Sequence, residues 1–284
     1  MATRTRPIED SNISRAWAAM LLAVLAAKKH EAKRVLVTLA DFDGTPDEDP
    51  TLRQLLDRCL AEVTPKSLAS VQTIANTIFP EGMWKLAGGD REKFYKTYLR
   101  DLPSYTSMDR ANVRGLYFGR LIAFDMDQRT GKRLPYLTEK LDVPSNQLEF
   151  IIKSCRPGMR RSALQAAIFD PNRDHVRSAR LGFPCLQHIQ FVPDFDAGTL
   201  SLNAFYATQL VIEKAYGNLL GLARLGSFVA EATKLSFSEM SVLIGVEKLS
   251  GSKGKFAGMD ALEMAANRLV LQGTAATTCA GAGS

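Results

Sequence analysis

An α+β fold, with a mixed β-sheet packed by helices, is what this sequence predicts, and three observations carry that prediction. Residues 188–192 alternate, with His188, Gln190 and Val192 set against Ile189 and Phe191. A turn at Asp194–Gly198 follows, and a second alternating run spans Thr199–Tyr206. Two alternating runs about a Pro/Asp/Gly turn read as a hairpin. Next, Leu210–Ala232 is apolar for longer than a strand runs and reads as a buried helix. Last, two β-branched runs, Arg34–Leu39 and Ser238–Val246, lie far apart with helical periodicities between them.

The elements follow in order. Residues 1–10 are polar and expected to fray. Ser14 can cap a helix over Arg15–Lys29, with Trp17, Met20, Leu21, Val24 and Leu25 on one face and Lys28, Lys29 and His30 at its negative end. The strand Arg34–Leu39 leads into Ala40–Pro50, a loop with five acidic residues but without EF-hand spacing. Helices are expected over Thr51–Val63 and, capped by Ser67, on to Phe79. Another spans Met83–Leu99, broken at Gly88–Gly89. Glu81, at the break after an apolar helix, reads either as a partly buried carboxylate able to relay protons or as a surface residue. Gly115-Leu116-Tyr117-Phe118-Gly119 precedes a polar turn at Gln128–Lys132, and Asn146–Cys155 reads as a helix ended by Pro157-Gly158. Arg160 and Arg161 open Ser162–Phe169, a buried strand or a short helix. Paired arginines there can hold a phosphate, or they are a solvated loop pair. Met259–Gln272 reads as a final amphipathic helix. One domain over residues 1–272 and a disordered tail over 273–284 complete the expectation.

The chain has 284 residues, 46% of them hydrophobic and 23% charged, which suits a globular protein with a sizeable core. No apolar run reaches the roughly 20 residues that span a bilayer, and Ala16–Ala27 does not read as a signal peptide. The expectation is therefore no membrane partner. Four scattered cysteines and no CxxC pair argue for a reducing, cytoplasmic setting, and three histidines argue against a His-rich metal site. The net charge of +6 suits an anionic ligand. It is diffuse, and only Arg91–Arg120 interleaves basic and aromatic residues, which argues for a small phosphorylated ligand over nucleic acid.

Phe183-Pro184-Cys185, then Gln190-Phe191, then Gly198-Thr199-Leu200-Ser201, resemble thymidylate synthase and the related pyrimidine nucleotide hydroxymethylases. Asn218, 33 residues after Cys185, falls near that family's base-reading asparagine. Gly115–Gly119 resembles its Gly-x-x-Tyr-Gly turn, Arg160-Arg161 its arginine pair and Glu81 its catalytic glutamate. The order of these elements matches over roughly residues 70–250.

The resemblance implies a thymidylate synthase-like fold and a homodimer formed sheet to sheet, with the arginine pair reaching the partner's nucleotide phosphate. It implies a transferase in which the Cys185 thiolate adds to C6 of a pyrimidine nucleotide. C5 then takes a methyl or hydroxymethyl group, with Glu81 assisting proton movement and Asn218 reading the base. Nearby arginines would lower the thiol pKa. Folate is the cofactor so implied, but Leu210 stands where the family has a folate-contacting aspartate. Tyr206-Ala207-Thr208 stands where it has Gln-Arg-Ser, which leaves Thr208 as the substrate-binding candidate without the clamping arginine. Phe118 stands where a tyrosine hydroxyl is expected, and the family's sugar-binding Asp-x-His-x-Tyr has no match near Val246–Ser250. The alternatives are a catalytically altered or inactive nucleotide-binding scaffold and, more weakly, a subunit of a nucleic-acid-modifying assembly.

Overall fold

The computed structural model describes residues 7–108, 112, 115–132, 145–175 and 184–280, the side chains of 274–280 excepted. Among them, six strands make one mixed sheet: β1 (Ile8–Asp10), β2 (Glu31–Leu39), β3 (Gln165–Ala167), β4 (Leu186–Asp194), β5 (Thr199–Leu210) and β6 (Ser236–Lys248). Their order is β1-β2-β6-β5-β4-β3, with β1/β2 and β5/β6 parallel and the other pairs antiparallel. The fold is α+β, as the sequence predicts. The expected hairpin is β4–β5, closed at Asp194↔Thr199. The Asp194 carboxylate accepts from the amides of Asp196 and Ala197, and Gly198 takes the positive φ of +70° that ends the turn.

The helices are α1 (Ile13–Ala26), α2 (Pro50–Ala61), α3 (Val71–Ile78), α4 (Glu81–Ala87), α5 (Arg91–Met108), α6 (Tyr117–Ile122), α7 (Gln147–Ser154), α8 (Pro171–Asp174), α9 (Tyr216–Thr233) and α10 (Met259–Ala280). Several ends differ from expectation. Asn12, not Ser14, caps α1, its Oδ1 accepting from the amides of Ser14 and Arg15 at 2.9 and 3.2 Å. Ser14 instead accepts from the Asp49 amide at 2.7 Å and bonds the Tyr216 hydroxyl at 2.7 Å. Ser70 rather than Ser67 caps α3, accepting from Thr73 N. Gly88 and Gly89, both at positive φ, separate α4 from α5 as predicted. The strand-or-helix segment after Arg160 is a 3-10 turn over Arg161–Ala163 followed by β3. The last helix does not stop at Gln272 but continues to Ala280.

One face of the sheet carries Val35, Val37, Leu202, Tyr206, Val242 and Ile244 into the core, where α1 packs on β2 and α9 on β5 and β6. α9 lies close against α3 because two of its residues have no Cβ. A Cβ at Gly217 would fall 2.6 Å from Ile74 Cβ, and one at Gly221 would fall 2.8 Å from the Ala75 carbonyl oxygen. The other face stays open. Phe205 and Leu243 pair across β5 and β6 there and are 39% and 45% exposed. Asn203 donates to Gln190 on the same face at 3.5 Å, and Thr38 bonds Ser241 at 3.1 Å.

The alternation of buried and exposed residues slips at one level across β2, β6 and β5, and at the adjacent level on β4. Between Ala32 and Val35, Leu186 and Ile189, Tyr206 and Gln209, and Ile244 and Glu247, two residues that are not buried stand where strict alternation allows one. Arg34 there has φ of +57°, the β4–β5 register shifts between Leu186 and His188, and a Cβ at Gly245 would fall 2.7 Å from the Ala207 carbonyl oxygen. An extra residue re-phases every side chain beyond it. Past this line, Gln209 and Glu247 point to the core face.

Candidate active site

At that re-phased end of the sheet lies a cavity of about 390 Å³, within the range of small-molecule sites. Its lining includes Cys185 and Pro184 at the head of β4, Thr208, Gln209 and Leu210 at the end of β5, and Lys214 and Asn218 beyond it. Lys248 at the end of β6, Ile74 and Thr77 of α3, and Leu116, Tyr117 and Arg120 at the start of α6 complete most of the wall. Strand ends, a helix start and the helix behind the sheet therefore converge on one thiol.

Each wall has a local cause. β5 runs into a π-helical turn, Val211–Ala215, before α9, and the buried Trp17 indole donates to the Val211 carbonyl at 2.8 Å. That bond fixes the turn carrying Lys214. The close α3–α9 approach brings Asn218, 3% exposed, beside Ile74 and Thr77. The loop before α6 is held by Gln128, whose amide accepts from Leu116 N at 2.7 Å and donates to Leu116 O at 3.2 Å. That amide lies where a Cβ of Gly115 or Gly119 would be, at 2.5 and 2.4 Å, so the two glycines are a packing requirement. Arg120 faces the cavity but is committed, with a bidentate pair to Asp174 at 2.6 and 2.8 Å and a bond to the Ile168 carbonyl at 2.8 Å.

Of the sequence-predicted site residues, Cys185, Thr208 and Asn218 line this cavity together. Glu81 does not. It sits in the first turn of α4, paired with Lys85 at 2.8 Å and Arg224 at 3.3 Å. Arg160 and Arg161 are exposed ahead of β3 and do not line it either. Tyr117 supplies the phenol of the Gly-Leu-Tyr-Phe-Gly turn, while Phe118 is fully buried in the core. Phe183 and the basic run beyond His175 lie outside the described residues.

Among the described residues, the cations that act on the thiol are lysines. Burial pushes the Cys185 thiol up, Lys214 and Lys248 pull it down, and Glu247 pushes it up again. Burial also raises the Tyr117 and Tyr206 phenols, which stay neutral. The site is rich in polar atoms without a protein partner: Asn218 Oδ1, Thr208 Oγ1 and both amide atoms of Gln209. Such groups await a ligand or water.

Sequence reasoning missed Gln209, Lys214, Lys248 and Glu247. For Lys214 a signal existed: Glu213-Lys214 is a charged pair inside an otherwise apolar run, and the structure buries Glu213 while leaving Lys214 exposed at the cavity. Glu247 lies just past the expected strand end at Val246.

Fold and site together describe an α+β protein presenting a thiol, the amide side chains of Asn112, Gln209 and Asn218, two lysines and Arg120 to one cavity. Compared with known proteins, the chain matches no protein-family model and no curated protein. No helix among the described residues is long and apolar enough to cross a membrane.

Proposed function

We propose that the cavity binds a pyrimidine nucleotide and that Cys185 is a nucleophile toward C6 of its ring, in a C5 one-carbon transfer. The observation that carries this reading is that Cys185 and Asn218, far apart in the chain, share one cavity with Thr208. The Cys185 thiolate forms a bond to C6 and the C5–C6 π pair moves toward C5 and the C4 carbonyl. C5 then attacks a one-carbon electrophile at the aldehyde level and loses its proton, and elimination of the thiolate restores the ring. A methyl product would require a hydride as well. Asn218, with an unpartnered Oδ1, can accept from a ring N–H. With Arg120 committed to Asp174, Lys214 and Lys248 are the cavity cations assigned to a phosphate, a role the resemblance gave to arginines. Leu210 brings no carboxylate to the wall, so these residues do not fit folate, and no step is routed through it.

The open sheet face supports a homodimer formed sheet to sheet. Phe205 and Leu243, flanked by Asn203, Gln190 and Ser241, form a mixed surface suited to burial against a second copy.

A second reading is a nucleotide-binding scaffold that has lost catalysis. Two observations favour it: Glu81 is tied to Arg224 and Lys85 outside the cavity, and the thiol is raised by burial. Incubation with 5-fluoro-dUMP and 5-fluoro-dCMP under reducing conditions, followed by intact-mass spectrometry, separates the two. The enzyme reading expects a covalent adduct that Cys185→Ala abolishes. No adduct, with thermal stabilisation by the same nucleotides retained in Cys185→Ala, selects the scaffold.

A further inference from the structure

A second cavity, of about 420 Å³, opens beside the first. Thr77, Asn112 and Leu116 belong to the walls of both, so the two spaces meet across these residues. The thiol chemistry above makes no use of it. Its inner end is set by Pro80, at the break between α3 and α4, and by Tyr98 of α5, both buried. Its outer end is set by Leu86 of α4 and Met108 at the end of α5, which are 83% and 76% exposed. The two helices are tied across it, the Tyr105 hydroxyl donating to Met83 Sδ at 3.5 Å. The Tyr98 and Tyr105 rings lie 5.9 Å apart, tilted by 44°.

The two cavities differ in charge. Lys214, Lys248 and Arg120 line the first. None of the described residues around the second is charged. An ionic group entering it would lose its hydration and find no counter-ion in the wall. Its methionines, tyrosines and leucines instead offer a soft, polarisable surface on which a flat ring packs well. At the mouth, Leu86 and Met108 leave apolar area in water that an apolar occupant would cover. At the buried end the Tyr98 hydroxyl has no hydrogen-bond partner. A buried hydroxyl in that state is left for water or a ligand to meet.

We propose that this second cavity is a binding site for an uncharged aromatic ligand whose hydrogen-bond acceptor turns inward to the Tyr98 hydroxyl. Each cavity alone has the volume of a small-molecule site. Two ligands therefore fit in contact, a charged one against the lysines and an uncharged ring against the methionines. The second site stands whether or not the first takes a nucleotide.

Prodan, an uncharged naphthalene dye with a carbonyl acceptor and an emission that shifts to the blue on leaving water, tests this on the full chain with no other ligand. The wild type is expected to show a single saturable site and a blue-shifted emission. Gly82 lines the cavity, and a Cβ built there meets no atom within 4 Å. Gly82→Phe therefore fills the space without a clash, and replacing a helical glycine does not weaken the helix. It should weaken the dye by about tenfold or more while the melting temperature holds or rises. Leu86→Lys and Met108→Lys, at exposed positions, should each weaken it several-fold. Tyr98→Phe should weaken it and move the bound emission further to the blue, because the carbonyl loses its donor. Met264→Lys, at an exposed methionine of α10 outside both cavities, should change nothing.

The proposal is overturned by a wild type without a saturable signal, or by a folded Gly82→Phe that binds like the wild type. It is equally overturned if Met264→Lys weakens the dye as much as Met108→Lys does, since the dye is then adsorbing to surface methionines. If Gly82→Phe does not fold, the rim variants decide, and wild-type affinity in both overturns it. Unchanged affinity and emission in Tyr98→Phe overturns the assigned orientation.

Discussion

Gln209 and Glu247 stand opposite each other on the parallel strands β5 and β6, both buried, with four side-chain polar atoms and no hydrogen-bond partner for any of them. A buried polar group left without a partner costs about 1–3 kcal/mol, so these four atoms are ones that buried water or a ligand would satisfy. Structural economy alone would place apolar residues here. Gln209 lines the cavity that also holds the half-buried Cys185, two lysines and Asn218.

Stability should respond to pH through Glu247. Its carboxyl is raised in the folded protein, so the native state keeps a proton that the unfolded chain has released. That contribution is complete below the unfolded carboxylate range and is lost as pH rises toward the folded value. The loss approaches about 1.4 kcal/mol per pH unit for one proton. Glu247→Gln cannot ionise. Chemical denaturation from pH 5 to 8 should show a flatter profile for the variant, which gains on the wild type as pH rises. A parallel pair of profiles would contradict the raised carboxyl.

The thiol itself should react slowly. Burial holds Cys185 above the ordinary cysteine range, while Lys214 and Lys248 oppose that. Lys214→Gln and Lys248→Gln should therefore each slow iodoacetamide alkylation at fixed pH by several-fold and move its midpoint upward. Faster alkylation in either variant would mean the lysine does not act on the sulfur.

Gly119→Ala should destabilise through one identifiable collision. The new Cβ would sit 2.4 Å from Gln128 Oε1, forcing the amide off Leu116 and breaking both bonds that shape the loop. The expected loss is about 1–3 kcal/mol in denaturant unfolding. In a Gln128→Ala background most of that penalty should vanish, a coupling that a double-mutant cycle measures.

Arg120 and Asp174 are 3% and 0% exposed at their side chains. Asp174→Ala strands a buried guanidinium and should cost about 3–5 kcal/mol, whereas Arg120→Met with Asp174→Leu should cost much less. Equal losses in the single and double variants would show that the charge pairing is not what the site depends on.

Association through the open sheet face should fail when that face is charged. Phe205→Asp or Leu243→Asp introduces repulsion between copies meeting there without touching the core. Sedimentation velocity should report a dimer for the wild type and a monomer for either variant. An unchanged sedimentation coefficient would place any contact elsewhere.

The sequence by itself determined the local architecture. The β4–β5 hairpin, the buried α9, the break at Gly88–Gly89 and the strands β2 and β6 follow from periodicity and turn chemistry, which depend on neighbours in the chain. Cys185, Thr208 and Asn218, singled out in the sequence, line one cavity in the structure. Tertiary structure alone decided which groups meet them. Glu81 went to Arg224, a partner 143 positions on, which no local pattern reveals. Gln209 and Glu247 reached the core face through irregularities stacked at one level across β2, β6 and β5, next to one on β4. Strict alternation from either strand's centre puts both residues outside. Orientation past a bulge is set by the pairing of all the strands at once, and that pairing is a property of the folded sheet.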